Sequence, residues 1–474
     1  MTTPAIATGE VRPRRANVEF WIIAAALALT YAGYFSPLVF AVLLGGLVFT
    51  MAALRFRPLL LGVLFFLPIN PWLSWDLPIK DMATLVRLCL FLGVLVDRHR
   101  SGQSPWAWLF SGRITRAILG YFAVVVLSSV ILNPITPFVE RELMRFISYL
   151  CFYYTVVDWV RSENDFKAVV NILMFSTIGA AVFGVYQYMI GDYSAIFYAL
   201  YPIQDEALKN PPFSGRITSF LSHYNTFAGY LNMVIPFAIA LAIKARDEFT
   251  RVVAQICFVM STLAMVLTQS RGGLLAYVAV LVMSAYYLSP TPKARRRWIV
   301  SILIICLVAG MLIGMVFERL AGVDQFTELS RLGIWAGAGI IFIGHPIAGI
   351  GYGNFKNVLA ATVDVPEGFM LDAHNLYMEL LAETGMLGFI AFVILAFSVM
   401  RRGVNTYKNS RTLMDAVVGF AVATGVMSVM AHGAVDYLFH NSPQFAAMFI
   451  LLLALLRANE IKSEKMESSQ PSAS

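Results

Sequence analysis

Long apolar runs, broken by short polar or basic stretches, recur from residue 19 to residue 457. Most approach the ~20 residues that cross a bilayer as a helix. In lipid, a spanning run must satisfy its own backbone hydrogen bonds, so helix is the expected form. The pattern predicts spans near 19–34, 36–53, 58–70, 82–96, 117–133, 146–160, 168–190, 220–243, 252–268, 273–288, 299–317, 376–400, 413–431 and 444–457. The runs at 58–70 and 82–96 are short enough to be re-entrant or interfacial. The expectation is therefore an all-α polytopic membrane protein with about 12–14 transmembrane helices. The first run leads into the second with no small-residue cleavage site between them, so it is read as a span.

The longest interruption is 318–375, and a loop of that length calls for a function. It contains an apolar stretch, Leu332 to Gly344, suited to a helix that packs on the membrane region. A glycine-rich stretch follows, His345-Pro346-Ile-Ala-Gly349-Ile-Gly351-Tyr352-Gly353-Asn354-Phe355, which permits close backbone approach. It follows no strand and lacks the Lys-Ser/Thr of a phosphate-binding loop, so a nucleotide site is not expected. The predicted layout is a cytoplasmic segment 1–18, a transmembrane region 19–317, a periplasmic loop 318–375 carrying short helices, C-terminal transmembrane helices 376–457, and a disordered cytoplasmic tail 458–474.

Composition agrees, with 59% of residues hydrophobic and 13% charged, the balance of a membrane protein. A net charge of +7 would also suit a nucleic-acid partner, but its distribution argues against one. With the N-terminus inside, strict alternation puts 25 of the 35 Lys and Arg on the cytoplasmic side and nine outside, with Arg87 within a span. That is the positive-inside asymmetry, so the charge is mainly an orientation signal. It puts both termini in the cytoplasm and the long loop outside. The four cysteines lie in or beside apolar runs without C-x-x-C spacing, and suggest neither a disulfide framework nor zinc.

On the outer face this topology collects a set of polar residues. Arg271, in Thr268-Gln-Ser270-Arg271-Gly272-Gly273, stands between two apolar helices, where a charge is expensive unless paired or functional. Arg216 stands at the entrance to the span near 220–243. A guanidinium fork suits a diphosphate. Arg331 and Trp335 are four apart on the loop helix and share a face, fit for sugar or phosphate or simply for each other. Arg141 and Arg145 also fall outside and could meet phosphate or lipid headgroups. His374, with Asn375 and Tyr377 after it at the mouth of a helix, is the candidate general base. Glu379 and Glu383 could orient that histidine or pair with an arginine. No Asp-x-Asp pair appears, and Glu163-x-Asp165 lies on the cytoplasmic side.

Taken in order, these segments resemble the O-antigen ligase and polymerase superfamily of bacterial envelope proteins. The matching pieces are Arg216 with Ser222-His223-Tyr224-Asn225 and Gly229-Tyr230-Leu231, then Thr268 to Gly273, then Arg331-x-x-x-Trp335. The His345 to Phe355 stretch follows, and His374-Asn375-x-Tyr377 with Glu383-x-Gly385-x-x-Gly388 completes the set. The resemblance implies a GT-C-like, metal-independent, inverting glycosyltransferase of the inner membrane with no cofactor. Its donor would be a glycan on undecaprenyl diphosphate. Its acceptor would be lipid A–core for a ligase, a growing glycan for a polymerase, or a protein. Ligase is the first expectation and polymerase the second. A polysaccharide or lipid transporter would need intramembrane charges and broken helices, and Arg87 alone is thin support. A non-catalytic envelope scaffold would not need the polar set. The expected partners are the lipid-linked donor, the acceptor and membrane lipids, with no nucleic acid.

Overall fold

The structure, a computed structural model, describes residues 37–69, 82–104, 108–133, 135–191, 215–221, 223–305, 325–362, 372–440 and 442–468. Among them the chain is helical throughout, without a strand. The helices are α1 (Pro37–Ala53), α2 (Pro58–Phe65), α3 (Met82–Arg100), α4 (Arg113–Val126, continued by a π-turn Leu127–Ile131), α5 (Pro137–Trp159), α6 (Glu163–Ile190) and α7 (Tyr224–Lys244). They continue as α8 (Glu248–Thr268), α9 (Arg271–Leu288), α10 (Gln325–Gly344), α11 (Phe355–Thr362), α12 (Leu376–Lys408), α13 (Leu413–Gly433) and α14 (Pro443–Ser468). The predicted span at 19–34 lies outside the described residues, and that at 299–317 runs out of them after a helical stretch 292–305. The other predicted spans each fall on a helix. Eight helices among the described residues are long and apolar enough to cross a bilayer. The run at 58–70 yields, among the described residues, the eight-residue α2, shorter than one straight helical span, while Arg55 after α1 pairs with Asp97 in the last turns of α3 (3.0 Å), so the two helix ends share one side.

Helices α7, α13 and α14 are buried along most of their length and form the centre. The others wrap around them, α12 against α13, α8 and α9 against α7, and α5 against α14. Exposed apolar side chains such as Phe175, Val259, Leu275 and Phe397 line the outward faces, as lipid contact requires. Arg87 is buried, with its guanidinium 4.6 Å from the Tyr149 ring centre and bonded to Thr84, a local packing solution to an intramembrane charge.

The segment 325–362 has a small core of its own. Ile334, Ala338, Ile341, Ile350, Phe355 and Leu359 pack with Ala373 and Ala382 of the α12 region. Phe355 is fully buried, a contribution of roughly 1.5–3 kcal/mol by area alone. The segment is stitched into α12 at a break. Gly385 has φ 63°, outside helical geometry, so the turn before it loses backbone partners. The loop 346–351 supplies them: Met386 N–H donates to Pro346 O (2.9 Å), Ile350 N–H to Ala382 O (3.0 Å) and Gly351 N–H to Glu383 O (2.9 Å). Gly349 (φ 68°) faces the break so closely that a Cβ there would lie 2.3 Å from the Glu383 carbonyl carbon. The π-turn of α4 seals the joint, since Ser128 donates to Glu383 O (3.1 Å) and Ser129 accepts from Tyr352 N–H (2.8 Å).

The C-terminal tail departs from expectation. Residues 458–468 continue α14, and Ala458, Asn459 and Lys462 are buried. Lys462 bridges Asp415 (2.7 Å) and Glu163 (2.9 Å), so a segment polar enough to look disordered is held by partners on two other helices. Residues 469–474 lie outside the described residues.

Candidate functional site

The N-cap of α9 explains the Thr268–Gly273 motif. Ser270 caps the helix by accepting from Gly273 N–H (3.0 Å), which makes Arg271 the first helical residue. The two glycines allow close approach: a Cβ on Gly272 would meet Val435 at 2.5 Å, and one on Gly273 would meet Ala228 at 2.4 Å. Arg271 is thereby brought to a cavity of about 290 Å³ that it lines together with Arg216 and Arg331. Tyr224, Asn225, Gln269, His432 and Asp436 complete its polar wall. The guanidinium of Arg216 lies 4.8 Å from the centre of the Tyr224 ring. Three arginines from three separated stretches of chain therefore face one space. Among the described residues Asp436 is its one lining carboxylate, and that group is already committed.

Asp436 is buried and accepts three bonds, from His374 Nδ1 (3.1 Å), Tyr437 N–H (2.8 Å) and the side-chain amide of Asn225. Ser270 Oγ donates to Asn225 Oδ1 (2.6 Å), fixing which way the amide points. The chain Ser270–Asn225–Asp436–His374 thus ties α9, α7, the 434–442 connection and the start of α12 into one network. Burial alone would raise the Asp436 pKa, but the hydrogen bond and charge of His374 outweigh it and hold the carboxyl below its usual range. Because a carboxylate can only accept, it draws a ring hydrogen to His374 Nδ1, and in the neutral imidazole Nε2 then carries the lone pair. The His374 side chain is 33% exposed, and it reaches the cavity through Asp436, which lines it, where His374 does not. His374 itself adopts φ 46°, a left-handed conformation unusual for a non-glycine residue. His223, the N-cap of α7, is pushed down to about 4 by burial, against the pull of Asp436, and stays neutral near pH 7.

Like His374, the remaining expected site residues do not line the cavity. Asn375 caps α12, accepting from Tyr377 N–H (3.0 Å) and donating to Ala434 O (2.9 Å). The Tyr377 hydroxyl donates to Met430 O (2.7 Å). Trp335 donates its indole N–H to Ala373 O (2.8 Å), next to His374, so it braces the histidine turn. Arg141 and Arg145 stand apart from the cavity; Glu142 accepts from both, at 3.2 and 2.8 Å. The expectation that Glu379 or Glu383 orients His374 is corrected: Asp436 does so. Glu379 accepts from Ala373 N–H (2.9 Å), and Glu383 from Gly353 N–H (2.9 Å) and Phe355 N–H (3.2 Å). Asp436 is the member absent from the sequence expectations, while Asn225 entered them only as part of the Ser222–Asn225 motif. The one hint was an acid, Asp436, in the short apolar connection between two spans.

Fold and cavity define a class, a multi-pass α-helical membrane protein with an arginine-lined polar pocket at one end of its bundle. Residues 256–393 match the family model described as O-antigen ligase, which bears out the resemblance to the O-antigen ligase and polymerase superfamily over that segment. It covers Ser270, Arg271, Arg331 and His374; Arg216, Asn225 and Asp436 fall outside it and join them in space. No curated protein matches the chain.

Proposed function

We propose that the chain is an inverting glycosyltransferase that moves a glycan from undecaprenyl diphosphate to an acceptor sugar hydroxyl, as an O-antigen ligase acting on lipid A–core. The observation that carries this reading is the convergence of Arg216, Arg271 and Arg331 on a cavity whose wall includes the carboxylate partner of His374. Such a cavity favours an anion, and a lipid diphosphate is the anion that gains charge as its glycosidic bond breaks. Preorganised guanidinium groups stabilise that developing charge. His374 Nε2 takes the proton of the acceptor hydroxyl as its oxygen attacks the anomeric carbon. The bond from that carbon to the diphosphate oxygen breaks on the opposite face, so the configuration inverts. Asp436 stabilises the imidazolium that results, in the manner of a triad acid. In this scheme arginines, not a metal ion, carry the diphosphate charge. The deciding test is gel analysis of envelope glycan from a deletion strain. Bare lipid A–core with polymer left on the lipid carrier is the expected outcome. Single repeats on lipid A–core would make the protein a polymerase, and unchanged glycan would overturn the transferase reading.

The donor is presented at the periplasmic face of the inner membrane, so the pocket must open there, with both termini in the cytoplasm. The 25-to-9 split of basic residues supports this orientation. Thr362, exposed at the end of α11, is the reporter. A Thr362→Cys variant, with Cys89, Cys151, Cys257 and Cys306 replaced, is expected to react with a membrane-impermeant thiol reagent once the outer membrane alone is permeabilised. Reaction only after inner-membrane lysis would put His374 in the compartment opposite the donor and end this mechanism.

A further inference from the structure

α12 carries a second polar cluster, separate from the arginine-lined cavity. Glu379 and Glu383, four residues apart, share a face of its first turns, and both are 0% exposed. Each has one carboxylate oxygen anchored by backbone N–H groups, Glu379 Oε2 by Ala373 and Glu383 Oε1 by Gly353 and Phe355. The other oxygens, Glu379 Oε1 and Glu383 Oε2, have no hydrogen-bond partner among the described residues, and neither does Nε2 of His440. The three residues nevertheless converge, with ligand atoms within 4.8 Å of one another. The His440 ring is held edge-on by Tyr352 and Tyr437, with centroids 4.4 and 4.9 Å away.

Buried polar atoms without partners are rare, and three on residues that converge this closely call for an occupant. The separation of Glu383 Oε2 from His440 Nε2 is 3.5 Å, long for a hydrogen bond. Two ligands held at about 2.1 Å from one tetrahedral ion stand about 3.4 Å apart, so the spacing suits a shared ion better. The backbone N–H groups on the second oxygens are the outer-shell contacts that orient carboxylate ligands. A divalent cation would also neutralise two carboxylates in a place that water does not reach. Imidazole with carboxylates selects a first-row transition metal of the zinc type over magnesium, which prefers oxygen and keeps its waters.

The geometry points to a buried zinc-type cation held by Glu379, Glu383 and His440. None of the three lines the arginine cavity, so the ion is a fixture of the fold and carries no diphosphate charge. It clamps the first turns of α12, which follow His374, to the 434–442 connection, which bears Asp436. The two halves of the His374–Asp436 contact would thereby be held in register. The inference does not rest on the transferase reading, because its readout is metal content and melting, not activity.

The test uses the full chain, purified in detergent without chelator or polyhistidine tag. Elemental analysis is expected to find about one transition-metal ion per chain in the wild type, and less than about one-tenth in Glu379→Gln and Glu383→Gln. Zinc added to the chelator-stripped wild type should raise its melting temperature by several degrees. If the glutamine variants do not fold, the zinc response of the stripped wild type decides alone. Metal at background in the wild type together with no melting response to zinc would overturn the proposal and leave a proton shared by the two glutamates as the occupant. Full metal content in both folded glutamine variants would overturn it as well.

Discussion

Replacing His374 with Asn is expected to lower glycan transfer by about 10²–10⁴-fold while the protein still inserts and accumulates. Asn is the sharper probe than Ala because residue 374 sits at φ 46°, a conformation Asn tolerates and Ala resists. The substitution therefore removes the base with little backbone penalty. Asp436→Asn should do nearly the same damage: an amide can donate to Nδ1, which would shift the ring hydrogen to Nε2 and leave no lone pair facing the acceptor. The loss should appear in kcat more than in KM. Because the two residues act as one unit, the double variant should be little worse than either single one. These variants are read with a purified lipid-linked donor in nanodiscs. Near-wild-type turnover in the His374→Asn protein would reduce the histidine to a structural role.

Arg271→Lys is expected to be almost as inactive as Arg271→Ala, each falling about 10²–10³-fold, the usual scale for losing one preorganised donor to a developing oxyanion. An ammonium keeps the charge but cannot reproduce the parallel N–H pair of a guanidinium, and Arg271, as first residue of α9, has a fixed starting point from which to reach. Arg216 and Arg331 line the same cavity, so binding of the donor should weaken less than turnover. Full activity in the Lys variant would mean that charge alone is required there, and would remove the bidentate clamp from the mechanism.

The helices were legible because lipid imposes one rule on every span, and the eight long apolar helices, α4, α6 to α9 and α12 to α14, obey it. The cationic half of the site was legible too, since a charge such as Arg271 between two apolar helices is costly and stands out. Its acid was not. Asp436 is 62 positions from His374 and 211 from Asn225, and nothing in local spacing links them; only the packing of α7, α9 and α13 brings them together. The misreading of Glu379 and Glu383 has the same origin. Helical periodicity puts them on one face, but that face turns to His440 and the 353–355 backbone, away from His374. The tail failed for the opposite reason, because Lys462 looks solvated until Asp415 and Glu163 are seen beside it.

The break at Gly385 divides α12 mechanically. Residues 386–408 form a span that must follow the hydrocarbon thickness around it, tilting when the bilayer thins or thickens. Residues 376–384 are bonded instead to the 346–351 loop and to the π-turn of α4. The first residues of the lower span, Met386 and Leu387, bond to that same loop through Pro346 O and Ile347 O, so a tilt of the span is shared with the loop instead of running up one unbroken helical ladder towards His374.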